Sequence, residues 1–173
     1  TFISRTMDRD PVPLRDVLRE ASEHKGTSLV EIYQNCNVFN DGAFEVFTDK
    51  KTKANTTLFV EHGKPMIFGE NNNLGLRLDG ATPVVVDLEK GEFTQDDLWV
   101  HDKTDRFKAE ILMRCFETPG DDLGVPRPFG VFYRENKSCY EDLLHNQIKT
   151  SVERKGEGDL DALLSGNNTW TIG

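Results

Sequence analysis

The first 33 residues have the hydrophobic pattern of a strand, a short helix and a second strand. Residues 1–5 form a strand-like run, and Asp10 followed by Pro11 is typical of a helix start. One apolar helical face follows at the spacing i, i+3, i+4 and i+7: Leu14, Val17, Leu18 and Ala21. Gly26 is expected to end the helix, and residues 27–33 predict the second strand. This βαβ pattern predicts an α/β fold with two parallel strands.

Two parallel strands and one helix do not make a complete sheet. Parallel sheets are covered on both faces, and this unit leaves one face bare. Further strands must therefore come from later segments of the chain or from an N-terminal half that precedes Thr1. Because the sequence opens directly on a strand without an initiating Met, we expect it to be a piece of a longer protein.

The middle of the chain, from Asn37 to about Leu88, alternates short apolar segments with turn residues. The candidate strands are residues 58–60, 66–68, 74–78 and 84–86. Gly, Asn and Pro residues separate them, which is typical of turns. The third segment alternates apolar and other positions with the period of two that marks a half-buried strand. We therefore predict a small β meander in this region.

The segment after residue 103 is predicted to be mainly helical. Thr104 is expected to cap a helix that is broken by Pro119 and Gly120. The apolar face of this helix would contain Phe107, Ile111 and Cys115. A further strand is predicted at residues 129–133.

A longer helix is predicted near the end of the sequence. Residues 138–141 have the spacing of a capping box, in which a Ser and a Glu close the start of a helix. An apolar residue then recurs at every fourth position: Tyr140, Leu144, Ile148 and Val152. Residues 159–164 predict one more short turn of helix.

Charge and composition exclude several classes of partner. The 173 residues include 21 Lys and Arg against 30 Asp and Glu, which gives a net charge of −9. Nucleic-acid-binding proteins need a basic face, and the largest basic group (Lys50, Lys51 and Lys53) is interpreted as a solvated loop. No apolar run approaches the roughly 20 residues of a membrane span. We therefore expect neither a nucleic acid nor a membrane as a partner.

The cysteine content favours a reducing compartment. Cys36, Cys115 and Cys139 are odd in number and widely spaced, which argues against a disulfide framework. The start of the sequence is charged and proline-rich and does not have the pattern of a signal peptide. We therefore expect a cytoplasmic location.

Most enzymatic signatures are missing from the sequence. It contains no glycine-rich dinucleotide motif, no Walker A loop, no nucleophile elbow and no H-E-x-x-H pair, so no catalytic residue is assigned. His101 and Asp102 follow Asp96 and Asp97 closely and form a conceivable metal corner. Zinc sites usually show two tight ligand pairs, so we interpret this segment as a polar surface turn.

Cys36 is the candidate site residue. It lies just beyond the carboxyl end of the predicted strand 27–33, where open α/β sheets bind their ligands. The surrounding turn, with Asn35 and Asn37 on either side, supplies N–H groups that can bond a thiolate or a cluster sulfur. The alternative is a small buried hydrophobic residue at a sheet edge. The residues alone leave both interpretations open.

Five segments together carry a resemblance to a known family. They are G-T-S-L-V-E-I-Y-Q-N-C-N-V-F-N-D-G-A-F at 26–44, F-V-E-H-G-K-P-M-I-F-G at 59–69, D-L-W-V-H-D at 97–102, G-V-F at 130–132, and the stretch from Asp159 to Trp170 and Thr171. In this order they resemble the second half of the β subunit of 2-oxoacid:ferredoxin oxidoreductases, in particular the bacterial 2-oxoglutarate:ferredoxin (2-oxoglutarate synthase) type. The closely spaced cysteine pair, the third cysteine and the G-D-G…N motif of the first half of that subunit do not occur here.

The resemblance implies a fold and a domain division. Residues 1–36 would be the final βαβ unit of a parallel sheet that binds thiamine diphosphate. Residues 37–103 would be a small mixed C-terminal domain that contains the β meander, and residues 104–173 a helical extension. In this family the fourth cysteine ligand of a 4Fe–4S cluster follows the strand that residues 27–33 match, which implies that Cys36 binds the cluster. Thiamine diphosphate and Mg²⁺ would bind in the missing N-terminal half.

The resemblance also implies a reaction and partners. The whole enzyme would decarboxylate a 2-oxoacid oxidatively, transfer the acyl group to coenzyme A and pass electrons to ferredoxin. For the 2-oxoglutarate type the product is succinyl-CoA. An α subunit would complete the heteromer, and the present chain by itself is expected to be inactive.

Two alternatives remain at the level of sequence. The chain could be a non-catalytic acidic α/β module that holds a partner, with Cys36 merely packed. It could also belong to the same family and act on pyruvate or a branched 2-oxoacid, because no residue here is derived to contact the substrate.

Overall fold

The computed structural model describes residues 1–115, 124–166, 169–170 and 172, which fall into two compact units. The first unit is Thr1–Lys137 and the second is Ser138–Gly173. The strands are β1 (Phe2–Met7), β2 (Ser28–Tyr33), β3 (Thr57–Val60), β4 (Ile67–Phe68), β5 (Leu74–Asp79), β6 (Thr82–Asp87) and β7 (Arg127–Arg134). The helices are α1 (Pro11–Ser22), α2 (Glu45–Thr48), α3 (Lys53–Thr56), α4 (Arg106–Arg114), α5 (Tyr140–Lys155) and α6 (Leu160–Ser165), with a 3-10 turn at Gln95–Asp97. The predicted division into residues 1–36, 37–103 and 104–173 stays a prediction.

The predicted βαβ unit is confirmed. β1 and β2 are parallel and pair from Phe2 opposite Ser28 to Met7 opposite Tyr33, and α1 connects them. Asp10 stands at the start of α1 as expected, but its side chain makes no capping hydrogen bond. Its carboxylate instead accepts a hydrogen bond from Lys53 Nζ at 2.5 Å. Lys53 therefore does not belong to a solvated loop, which corrects that part of the sequence interpretation.

Later segments of the chain add two strands to this sheet. The strand order is β2-β1-β7-β3, with β7 antiparallel to β1 and parallel to β3. The α/β fold class is thus confirmed, in a sheet that is mixed. The prediction that residues 58–60 belong to the meander is wrong, because β3 pairs with β7 and so lies in this four-stranded sheet.

The other three meander strands are confirmed as a separate antiparallel sheet. Its order is β4-β5-β6, with β5 and β6 paired from Leu74 opposite Asp87 to Asp79 opposite Thr82. The two sheets share one hydrophobic core, in which side chains of β3, β4, β5, α4 and β7 meet those of two connecting segments, Met66 and Trp99. The residues from the strands and the helix are Leu58, Val60, Phe68, Leu76, Ala109, Leu112 and Phe132.

Helix α4 begins one residue later than the sequence predicts. Its N-cap is Asp105, whose carboxylate accepts hydrogen bonds from the backbone N–H groups of Phe107 and Lys108. Thr104 bonds instead to the carboxylate of Asp102. Phe107 is 73 % exposed, so it does not lie on the buried face of the helix. The predicted break at Pro119 and Gly120 lies outside the described residues.

The second unit contains α5 and α6. Cys139 is the N-cap of α5 and makes no side-chain capping bond, so the predicted capping box is wrong. Asp159 caps α6, and its carboxylate accepts from the backbone N–H of Ala162 at 2.9 Å. In the part of the chain that the structure describes, no helix is both long and apolar enough to span a bilayer.

Candidate functional site

Cys36 lies in the loop that follows β2, at the carboxyl end of the parallel pair. The loop folds back on itself directly after the strand, because the carbonyl oxygen of Cys36 accepts a hydrogen bond from the backbone N–H of Asn40 at 2.9 Å. Cys36 is a free, half-buried thiol. The structure therefore places this residue where the sequence predicted it.

The Asn35 side chain holds the two ends of this loop together. Its Nδ2 group donates to Oδ1 of Asn37 at 2.7 Å and to Oδ1 of Asp41 at 2.9 Å. Its Oδ1 atom accepts from the backbone N–H of Gly42 at 2.9 Å. One amide thus ties three later positions of the loop to the end of β2.

The loop brings backbone donors close to Cys36. The N–H groups of Phe39, Val38 and Asn40 lower the pKa of its thiol below the usual value of 9.0. Hydrogen bonds that favour the charged form lower the pKa of an acid, so this loop favours the thiolate. The thiolate is the form of cysteine that binds metal ions.

The tip of the loop is apolar and open to solvent. The side chains of Val38 and Phe39 are 81 % and 91 % exposed, whereas their backbone N–H groups lower the pKa of Cys36. The backbone of these two residues therefore influences the thiol, while their side chains lie mostly in solvent.

A polar crevice adjoins the loop at the same edge of the sheet. Its volume is about 160 Å³, and it is lined by residues that follow β1, by the loop itself and by α2: Asp8, Arg9, Asn35, Asp41, Gly42, Phe44, Glu45 and Thr48. Asp8 and Arg9 do not belong to any motif of the sequence. The signal that indicates them is their position directly after β1, since the carboxyl ends of parallel strands meet at one edge.

The chain is similar along almost its whole length to one curated protein. Over 176 aligned residues it is 31 % identical to the 2-oxoglutarate oxidoreductase subunit KorB of Mycobacterium tuberculosis, a match that covers 99 % of this chain. The resemblance to the β subunits of 2-oxoacid oxidoreductases is confirmed. The chain spans 45 % of the length of KorB, consistent with the C-terminal part of such a subunit. No protein-family model matches the chain, and no solved structure matches it.

The 4Fe–4S cluster expected from the resemblance of the sequence would find one ligand, Cys36, in this loop. Such clusters are held by cysteine thiolates, and hydrogen bonds to their sulfurs tune their potential. Cys36 offers one thiol whose charged form is favoured by neighbouring backbone N–H groups. Within residues 1–115, 124–166, 169–170 and 172, no three His, Cys, Asp or Glu side chains converge to hold a metal ion. The remaining ligands of a cluster would therefore come from elsewhere.

The other two cysteines of the chain lie at the ends of helices. The thiol of Cys115 donates to the carbonyl oxygen of Ile111 at 3.4 Å, at the end of α4. Cys139 is the N-cap residue of α5. Among the described residues, none of the three cysteines forms a disulfide bond.

The His101 segment is not the surface turn that the sequence suggested. His101 is buried, and its Nε2 lies 2.8 Å from the carbonyl oxygen of Val131. Because a carbonyl oxygen only accepts, Nε2 carries the proton. Asp97 and Asp102 are each engaged locally, with Thr94 and Thr104. The buried histidine therefore links its own loop, which precedes α4, to strand β7. It does not form a metal site with these carboxylates.

Proposed function

We propose that this chain is the C-terminal part of the β subunit of a 2-oxoacid:ferredoxin oxidoreductase. The observation that carries the proposal is the 31 % identity to a 2-oxoglutarate oxidoreductase subunit over 99 % of the chain. The relative's name favours 2-oxoglutarate as the substrate. From the resemblance of the sequence to the ferredoxin-dependent enzymes we further propose succinyl-CoA as the product, formed in the cytoplasm with coenzyme A and with ferredoxin as electron acceptor. An α subunit of the same enzyme would be the permanent partner.

Cys36 would provide one ligand of a 4Fe–4S cluster in that enzyme. Its position beyond β2 and the backbone N–H groups of the loop, which lower the pKa of its thiol, support this role. Backbone N–H groups bonded to a cluster sulfur stabilise the more negative, reduced state. The loop, held by Asn35, would keep these donors in place.

The other cofactors would lie outside this chain. Thiamine diphosphate and its Mg²⁺ ion are expected in the N-terminal half of such a subunit, and when bound they supply the chemistry of decarboxylation. The present residues would contribute one edge of the sheet, the Cys36 loop and an appended domain. We therefore expect the isolated chain to have no oxidoreductase activity.

Replacement of each cysteine by serine tests the ligand assignment. Cys36→Ser, Cys115→Ser and Cys139→Ser are introduced into the complete oxidoreductase, which is purified without oxygen. We expect only Cys36→Ser to lower iron and sulfide per subunit or to change the electron paramagnetic resonance spectrum of the cluster, because serine replaces a soft thiolate by a harder, less acidic oxygen. If all three variants keep the iron content and spectrum of the parent, the cluster-ligand role is wrong.

Substrate choice is tested separately by steady-state assays of the complete enzyme. Ferredoxin reduction that depends on coenzyme A is measured with 2-oxoglutarate, pyruvate and a branched 2-oxoacid. We expect the highest kcat/KM with 2-oxoglutarate. A higher value for another 2-oxoacid would change the substrate and leave the family intact, whereas no activity with any of them would favour the non-catalytic acidic module.

A further inference from the structure

Helix α5 has an exposed apolar stripe along its whole length. The stripe consists of Tyr140, Leu144, Ile148 and Val152, one residue at every fourth position. With 3.6 residues per turn, this spacing keeps the four side chains within about one third of the helix circumference. All four are exposed, and no residue of α5 is buried.

A helix of this kind needs a surface to pack against. α5 has 16 residues, and isolated helices of about this length are marginal in water even when their sequences favour helix. In proteins, helices gain most of their stability by burying an amphipathic face. The stripe therefore calls for a covering surface of similar length and apolar character.

The charges of α5 are arranged differently from those of the chain as a whole. The chain carries a net charge of −9, which opposes the association of two copies. The helix itself is neutral, because its acidic and basic residues balance: Glu141, Asp142 and Glu153 against Lys149, Arg154 and Lys155. The acidic residues are concentrated in the first turn and the basic residues in the last turn. Electrostatic repulsion between two copies of the chain is therefore weak where their α5 helices meet.

We propose that α5 packs antiparallel against α5 of a second copy of this chain. The stripe is symmetric about Asn146, so a two-fold axis there places Tyr140 opposite Val152 and Leu144 opposite Ile148. The acidic first turn of each helix then lies near the basic last turn of the other. A parallel pair would instead bring acid beside acid and base beside base. The antiparallel arrangement is closed and self-complementary, as in most homodimers.

Sedimentation equilibrium of the intact chain tests whether the apolar stripe of α5 forms the dimer contact. We expect the parent to form dimers that Leu144→Asp combined with Ile148→Asp abolishes. The matched control, Asn146→Asp combined with Thr150→Asp, adds the same two charges on the opposite side of the helix and is expected to dimerise like the parent. A monomeric parent at all concentrations, or equal loss in both double variants, would overturn the proposal.

Charge reversal tests the antiparallel direction. One variant carries Glu141→Lys and Asp142→Lys, and the other carries Arg154→Glu and Lys155→Glu. Each variant alone is expected to dimerise about tenfold more weakly or worse, since like charges then face each other at both ends of the pair. An equimolar mixture is expected to restore the dimer, because the two altered helices are complementary. Helix content from circular dichroism accompanies each sample, and a mixture that stays monomeric would overturn the antiparallel pair.

Discussion

Arg5 and Glu31 face each other across the parallel strands β1 and β2, and Nε of Arg5 donates to Oε2 of Glu31 at 2.6 Å. Arg5 is only 1 % exposed, whereas Glu31 is 46 % exposed. The guanidinium group also lies over the rings of Tyr33 and Phe132, at 5.5 and 5.3 Å. A buried charge on the central strand β1 is thus neutralised from the outer strand β2, which ties the position of β2 to the core.

Glu31→Gln is expected to destabilise the chain by about 1–2 kcal/mol, because it replaces the carboxylate that faces the buried Arg5 guanidinium by a neutral amide. The rings and the Pro128 carbonyl, 3.4 Å from Nη1, keep the loss below that of a wholly unpaired charge. The free energy of unfolding in urea measures it. Glu61→Gln is the control, since Glu61 pairs with Lys64 on the surface and should cost less than about 0.5 kcal/mol. Equal losses in the two variants would show that the Arg5 pair contributes no more than a surface pair.

Gly130→Ala is expected to cost about 3 kcal/mol. Gly130 has a φ of +120°, and a Cβ atom there would lie 2.7 Å from the carbonyl oxygen of Val60 on the paired strand β3. The substitution therefore combines backbone strain at residue 130 with a collision between the new Cβ atom and the main chain of β3. Gly63→Ala is the matched control, because Gly63 also has a positive φ, of +78°, but has open space around it. It should cost about 1 kcal/mol in the same urea titration. A loss for Gly130→Ala no larger than the control would show that β7 can move away from β3.

Local patterns predicted the elements of this fold better than their pairing. The βαβ unit follows from residues close together in the sequence, and it is present as predicted. β3 was assigned to the wrong sheet, because its partner β7 lies far along the chain, with Thr57 opposite Arg127. A period of two indicates a strand but does not indicate which sheet it joins. The two helix starts were wrong by one residue, since Asp105 and Cys139 stand at the caps where Thr104 and Ser138 were expected.

The candidate site was predicted in position but not in detail. Cys36 follows a predicted strand in the sequence, so its place at the carboxyl edge of the sheet could be predicted. The donors of Phe39 and Val38 depend on how the loop folds back, which no short motif specifies. The burial of His101 arises from its contact with Val131 on β7, a distant segment of the sequence. Such tertiary contacts override the polar appearance of the local sequence.

The stability of the chain is expected to fall as the pH drops below about 6.5. Burial, and to a smaller extent the charges of His62 and Lys103, lower the pKa of His101 below its usual value of 6.5, although the Val131 carbonyl and Asp102 oppose the shift. The unfolded chain therefore binds a proton below pH 6.5 that the folded chain does not bind, and protonation favours unfolding. The stability contributed by neutral His101 is complete above pH 6.5 and is lost as the pH falls toward the folded pKa.

Unfolding in urea between pH 7.5 and 5.0 tests this linkage. His101→Gln keeps a side-chain N–H for the Val131 carbonyl and removes the titration, so it should flatten the dependence of the unfolding free energy on pH. One group contributes at most about 1.4 kcal/mol per pH unit. His145→Gln, on the exposed face of α5, should keep the slope of the parent. An unchanged slope in His101→Gln would assign the pH dependence to other groups, of which the buried His24, with its lowered pKa, is the next to test.

The Cys36 thiol is expected to react with iodoacetamide at lower pH than an ordinary cysteine. Only the thiolate reacts, and the N–H groups of Phe39, Val38 and Asn40 lower the pKa of this thiol below 9.0. The rate of alkylation, followed by mass spectrometry of the Cys36 peptide in the metal-free chain, should therefore reach its half-maximum below pH 9.0. Phe39→Pro removes the largest of the three donors, so its half-maximum should move up toward that of a free thiol. Phe39→Ala keeps this N–H and loses only a side chain that is 91 % exposed, so it should titrate like the parent. If both variants shift equally, the apolar side chain and not the backbone N–H controls the thiol, and the assignment of the lowered pKa to this N–H group is wrong.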